Sequence, residues 1–113
     1  MPRRGRQQEY EAKKRLQAIY GSFCVCKTSV YQNAPDFLVT NDGEGRIVGV
    51  EVKSRKKKPF RSTKHDREQW LFLKAWMNFN ACPLEYWIRY GKSKDISWEK
   101  LTHEEFGERY IKR

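Results

Sequence analysis

The segment Arg46-Ile47-Val48-Gly49-Val50-Glu51-Val52-Lys53 restricts the fold more than any other stretch of the chain. Its alternating valines are β-branched and favour extended backbone. A strand sends successive side chains to opposite faces, so Val48, Val50 and Val52 are expected to turn toward a core. Glu51 and Lys53 are then expected to emerge together on the other face. Residues 36 to 40 read as the preceding strand, joined to residues 46 to 53 by Asn41-Asp42-Gly43-Glu44-Gly45, a hairpin connection. Asp36, following Pro35 at the start of that strand, can reach the face that carries Glu51 and Lys53.

The rest of the chain is read around this hairpin. Residues 6 to 20 form a helix with Glu9, Ala12, Leu16 and Ile19 on one stripe and Lys13, Lys14 and Arg15 largely off it. Glu11 lies away from the stripe, spaced for a surface pair with Arg15. Gly21 ends this helix, and residues 22 to 28 read as a strand. A polar loop from Ser29 to Ala34 leads to Pro35. Residues 64 to 79 give the strongest helix signal, with Pro83 beyond it and an alternating strand over residues 84 to 90. Trp98 closes a short element, and Thr102-His103-Glu104-Glu105 has capping-box spacing for a final helix. The order helix, three strands, helix, strand predicts an α/β fold, a mixed sheet flanked by helices. One domain is expected over residues 1 to 113, with a core of about 5 to 90 and an addition over 91 to 113.

Charge narrows the partners. Lys and Arg number 24 against 14 Asp and Glu, a net charge of +10. Such a surface attracts polyanions, nucleic acid first among them, because neutralised phosphates release counterions. The plainer alternative is a set of lysines that only keep the protein soluble. The first residues lack the apolar stretch of a signal peptide, and no apolar run approaches membrane-spanning length. Cys24, Cys26 and Cys82 are odd in number, and Cys24 and Cys26 would point the same way on one strand, a poor disulfide geometry. A reducing cytoplasm and core roles for these cysteines are expected. A zinc site with His65 or His103 is only weakly signalled.

Asp36, Glu51 and Lys53 together suit Mg²⁺ and a phosphodiester. Mg²⁺ takes hard oxygen ligands and keeps several waters, which can supply a nucleophile while the ion stabilises phosphoryl charge. Lys53 can orient or deprotonate that water, or stabilise the charged phosphorane. The alternative is an ordinary solvated strand face with an ion pair. Glu9 sits on an apolar stripe, where a carboxylate needs a cation to offset desolvation; a metal shared with Asp36 and Glu51 would supply one. Glu9 in the first turns is also where acids favour the helix dipole. Gln69 shares a stripe with Leu73 and Trp76 and can either hold a water or phosphate near the metal or be a satisfied polar residue.

These residues together resemble the archaeal-type Holliday junction resolvase family, a branch of the PD-(D/E)xK nucleases. The matching residues are Gly5-Arg6-Gln7-Gln8-Glu9, Pro35-Asp36-Phe37-Leu38-Val39, Glu51-Val52-Lys53-Ser54 and Gln69-Trp70-Leu71-Phe72-Leu73-Lys74-Ala75-Trp76. The resemblance spans roughly residues 3 to 90 and implies a restriction-endonuclease-like core. It implies metal binding by Glu9, Asp36, Glu51 and the carbonyl of Val52, a catalytic role for Lys53, and a functional serine best matched by Ser29. The implied activity is a Mg²⁺-dependent endonuclease, with Mn²⁺ as a substitute, that resolves four-way DNA junctions by paired symmetric nicks. Other nucleases of the superfamily and a binding module without catalysis are the alternatives.

Arg3, Arg4 and Arg6 precede the first helix, while Arg55, Lys56, Lys57 and Lys58 follow the Glu51-Lys53 strand, with Phe60 and Arg61 in the same loop. Both clusters are expected to hold DNA backbones beside the metal, and Phe60 to wedge at a branch point or anchor packing. Paired nicks suit a two-fold homodimer. The helix over 64 to 79 is apolar on several sides (Trp70, Leu71, Phe72, Leu73, Trp76, Met77 and Phe79), which a second subunit or the segment around Trp98 and Phe106 would cover. The strand Leu84, Tyr86, Ile88 and Tyr90 was open to the same reading.

Overall fold

The computed structural model describes residues 2–28, 34–92 and 95–112, with side chains from Gln8 onward. Helix α1 (Pro2–Tyr20) is followed by a 3₁₀ turn (Ser22–Cys24) and strands β1 (Val25–Lys27), β2 (Phe37–Val39) and β3 (Val48–Arg55). Helix α2 (Lys64–Asn80) leads to β4 (Leu84–Tyr90), β5 (Ser97–Thr102), the short α3 (His103–Phe106) and a π turn (Gly107–Ile111). The five strands form one sheet in the order β1-β2-β3-β4-β5. Only β3 and β4 run parallel; the other neighbours are antiparallel. Among the described residues no helix is long and apolar enough to cross a membrane.

The parallel pair explains a departure from the simple alternation argument. Parallel strands need a crossover, here α2, and crossovers pack a helix onto the sheet. The sheet is therefore covered on both faces. Ala12 and Leu16 of α1 pack on Val48, Val50, Phe37, Val39 and Trp87, with Val52 at the margin. On the other face Trp70 and Leu73 of α2 pack on Leu84, Tyr86, Ile88 and Leu101, joined by Phe106. The valines go to a core as expected, but Glu51 does not emerge into solvent: it is 4% exposed. Gly49 makes room for this second layer, since a Cβ there would meet Pro35 Cγ at 2.9 Å and the Trp76 ring at 3.3 Å.

Several local expectations change. The region read as one strand over 22 to 28 begins instead as the 3₁₀ turn, leaving three residues in β1. Of the cysteines only Cys82 is buried; Cys24 is half-buried and Cys26 exposed, and all three are free thiols. Glu11 pairs with Arg89 of β4 at 2.7 Å rather than with Arg15, while the Arg15 guanidinium lies 5.3 Å from the Trp98 ring centroid. Ile19, placed on the apolar stripe, is 58% exposed.

The C-terminal segment belongs to the α2 layer. Thr102 and Glu105 form the expected capping box, with Thr102 Oγ1 accepting from Glu105 N at 3.1 Å and Glu105 Oε1 accepting from Thr102 N at 2.8 Å. His103 stacks on Trp70 with ring centroids 4.4 Å apart. The Trp70 indole N–H donates to the His103 carbonyl and the His103 imidazole N–H to the Trp70 carbonyl, each at 2.9 Å. Burial pushes the His103 pKa below its ordinary value, which keeps the ring neutral. The strand Leu84, Tyr86, Ile88 and Tyr90, considered above for a subunit interface, is buried within one chain. Leu71, Phe72 and Phe79 of α2 remain 61%, 54% and 91% exposed.

Candidate active site

The site lies where the β2–β3 hairpin meets the start of α2. Asp36 precedes β2, held by a hydrogen bond from Thr28 N to its carbonyl at 3.0 Å and by the Thr28 hydroxyl donating to the Pro35 carbonyl. Its Oδ2 accepts from Val52 N at 2.8 Å. That bond fixes the carboxylate beside Glu51, as the hairpin register of Phe37 opposite Val50 requires. Lys53 Nζ lies 3.9 Å from Glu51 Oε2, 3.0 Å from Asp66 Oδ1, and donates to Gln69 Oε1.

Two acids, Glu51 buried and Asp36 half-buried, share too few compensating partners. Burial pushes the Asp36 carboxyl from 3.8 up to about 6, and the Glu9 charge adds to this, against the Val52 N–H, Lys53 and Lys27. Burial and then the Asp36 charge push Glu51 well above its ordinary value, despite Lys53 and Gln69. Among the described residues, Glu51 Oε1 is buried with no hydrogen-bond partner, and so is the Tyr86 hydroxyl. Tyr86 is the register partner of Glu51 on β4. Buried unpaired oxygens are costly, so Tyr86→Phe is expected to leave thermal stability unchanged or slightly raised. A drop in the unfolding midpoint beyond about 1 kcal/mol would show that the hydroxyl has a partner.

The expected three-carboxylate set is not assembled. Among the described residues, no three His, Cys, Asp or Glu side chains converge closely enough to hold a metal ion. Glu9 is 30% exposed and paired with Lys27 at 3.1 Å, because β1 ends directly beside that turn of α1. The remaining donors still fit a hard divalent cation. Glu51 Oε1 is unused, Asp36 is under-compensated, and Mg²⁺ commonly takes one or two carboxylates and completes its shell with water and phosphate oxygens.

Asp66 is the site residue that the sequence reading missed. It is 4% exposed, and its Oδ2 accepts from Thr63 N at 2.9 Å and from Arg55 Nη2 at 2.6 Å. Burial alone would raise its pKa, but the Thr63 N–H, Lys53 and Arg55 outweigh it and hold the carboxyl below its ordinary value. The signal that could have found it is Thr63-Lys64-His65-Asp66, a capping-box spacing at the head of α2.

The basic segment is split. Lys56, Lys57, Lys58 and Arg61 are exposed, whereas the Arg55 guanidinium is engaged by Asp66 and lies 4.1 Å from the Phe60 ring centroid. Phe60 is not a wedge for a branch point: it is 4% exposed and packs edge-on against Phe106 at 5.2 Å. Arg3, Arg4 and Arg6 lie on α1 with side chains outside the described set, and Ser29 lies outside the described residues.

A mixed sheet of this order, flanked by helices and carrying acidic residues at its β2–β3 hairpin, is the restriction-endonuclease-like fold. The chain is similar to a solved structure of Hjc, a Holliday junction resolvase from the archaeal hyperthermophile Archaeoglobus fulgidus. The TM-score is 0.62 at 16% sequence identity, over 89% of this chain and 74% of that one, which establishes the fold. No protein-family model and no curated protein matches the sequence.

Proposed function

We propose that the protein is a divalent-metal-dependent endonuclease that nicks four-way DNA junctions in symmetric pairs as a homodimer. The observation that carries the reading is the Asp36–Glu51 pair, Asp36 half-buried and Glu51 buried, with Glu51 Oε1 unpartnered among the described residues and Lys53 Nζ 3.9 Å from the Glu51 carboxylate. A module that only binds phosphates gains nothing by withdrawing two acids from water side by side. Asp36 and Glu51 are the side chains that would hold Mg²⁺ or Mn²⁺, with the Val52 carbonyl contributing and Glu9 at the rim; the ion supplies polarised water and phosphoryl charge neutralisation.

The chain's own groups divide the remaining work. Lys53, held at Gln69 and Asp66, presents a positive charge where a phosphodiester would gain negative charge in the transition state. Gln69 steadies the Lys53 ammonium and, through its amide, the Glu51 carboxylate. Lys56, Lys57, Lys58 and Arg61 stand beside this group as backbone contacts that position a duplex without reading sequence. The uncovered Leu71, Phe72 and Phe79 supply an apolar surface for a second copy. DNA in a cytoplasmic compartment is the proposed setting.

The deciding test is cleavage of a synthetic four-way junction beside a linear duplex of the same sequence, with Mg²⁺ or EDTA. Paired symmetric nicks confined to the junction and lost in EDTA are expected. Equal cutting of both DNAs would reduce the reading to a nuclease without branch selectivity, and metal-independent cutting would remove the assigned chemistry. Joint replacement of Lys56, Lys57 and Lys58 by alanine is expected to weaken junction binding and lower the salt slope by up to about three. An unchanged slope would remove these lysines from the interface.

A further inference from the structure

We propose that Asp66 is a positioning residue, one carboxylate that fixes Lys53 beside the Asp36–Glu51 pair and anchors the start of the basic segment. The proposal rests on the catalytic reading of Lys53 and extends it to a residue outside the motifs that carry the resemblance.

The geometry divides the two oxygens of Asp66 between two tasks. Oδ1 takes the Lys53 ammonium at 3.0 Å. Oδ2 takes Arg55 at 2.6 Å, Thr63 N at 2.9 Å and the Thr63 hydroxyl at 3.1 Å. A capping box needs only an acceptor at this position, and most such acids sit in water. Asp66 is buried at 4% exposure and gathers two cations from alternate positions on β3, Lys53 and Arg55. A helix cap alone does not account for that arrangement.

Lysine carries its charge on a flexible four-carbon stem and needs external restraint to hold one position. Without Asp66, the nearest carboxylate is Glu51, at 3.9 Å. Collapse of Lys53 onto Glu51 would occupy the oxygens that a cation requires. Asp66 draws the ammonium to the other side and leaves Glu51 Oε1 unpartnered among the described residues. Through Arg55 the same carboxylate fixes the point from which Lys56, Lys57 and Lys58 project.

Asp66→Asn separates these roles. An asparagine carbonyl placed where Oδ2 stands still accepts from Thr63 N, so the helix start is kept, while an amide donor now faces Lys53. Thr63→Ala is the control, because it removes the hydroxyl half of the cap and leaves the Asp66 carboxylate. The measurements are junction-cutting kinetics and the side-chain ammonium signal of Lys53 in ¹⁵N-lysine-labelled protein. Asp66→Asn is expected to lower kcat by on the order of tenfold to a hundredfold, to leave KM within about twofold, and to lose the protected Lys53 signal. Thr63→Ala is expected to lower the unfolding midpoint while kcat and the signal persist. A Lys53 signal that survives in Asp66→Asn, or is equally lost in Thr63→Ala, overturns the proposal. A wild-type protein that cuts no DNA overturns the nuclease reading instead, and the ammonium comparison still decides whether Asp66 holds Lys53.

Discussion

Asp36→Asn is expected to abolish metal-dependent cutting and, in the same molecule, to stabilise the metal-free protein above about pH 6. The Asp36 carboxyl titrates near 6 in the folded chain against 3.8 for the free group. Between those values the unfolded chain has released the proton while the folded chain still binds it. Wild-type stability therefore falls as pH rises through that window and stays at the lower level above it. The shift, shared with Glu51, corresponds to on the order of 1–3 kcal/mol. Asparagine removes the charge and keeps an acceptor for Val52 N. Thermal unfolding in EDTA should place the variant several degrees above wild type near pH 7.5, with the gap closing toward pH 4. Mg²⁺ should raise the midpoint of wild type alone, and more so at higher pH because the ligands must be deprotonated. Cutting should fall by on the order of a hundredfold or more. A variant less stable than wild type at both pH values would show that the half-buried carboxylate is compensated.

Phe106→Ala is expected to have the largest effect on stability. The ring is fully buried and stacks on Tyr86 at 3.8 Å between centroids, with Phe60 and Tyr110 against its edges. Truncation of such a ring costs about 3–5 kcal/mol, a large share of the roughly 5–15 kcal/mol that holds an ordinary domain together. Urea denaturation should show a much lower midpoint at an unchanged slope. A loss under about 1 kcal/mol would mean that the segment after β5 is an appendage to the core and not a part of it.

The hairpin was legible because its signal is local: Val48, Val50 and Val52 alternate, and Asn41 to Gly45 can only turn. The same is true of the Thr102 capping box, where partners sit three residues apart. What escaped were consequences of the crossover. Nothing near Glu51 in sequence says that α2 will settle over it, so a carboxylate expected on an open sheet face is buried. For Phe60 the sequence left wedge and packing anchor both open, since the partners that decide for the anchor, Phe106 and Tyr110, come from the far end of the chain. Glu9 was expected to need a metal as its counter-charge, but the cation beside it is Lys27 of β1, 3.1 Å away, a partner that spacing along α1 cannot reveal. Asp66 looked like any helix-cap acid until β3 delivered Lys53 and Arg55 to it.

The parallel pairing of β3 with β4 also sets an order of events during synthesis. By the time β3 has left the ribosome, Asp36, Glu51 and Lys53 have all been made, yet the helix that covers them and the strand that pairs with β3 are still to come. Pairing between distant strands is paid for in loop entropy before it is rewarded, so the pocket takes shape only after α2 and β4 arrive. A nascent or interrupted chain thus carries every proposed reacting group without the enclosure that sets their charge. On the proposed reading, the order of emergence leaves these groups without their setting until α2 and β4 are in place.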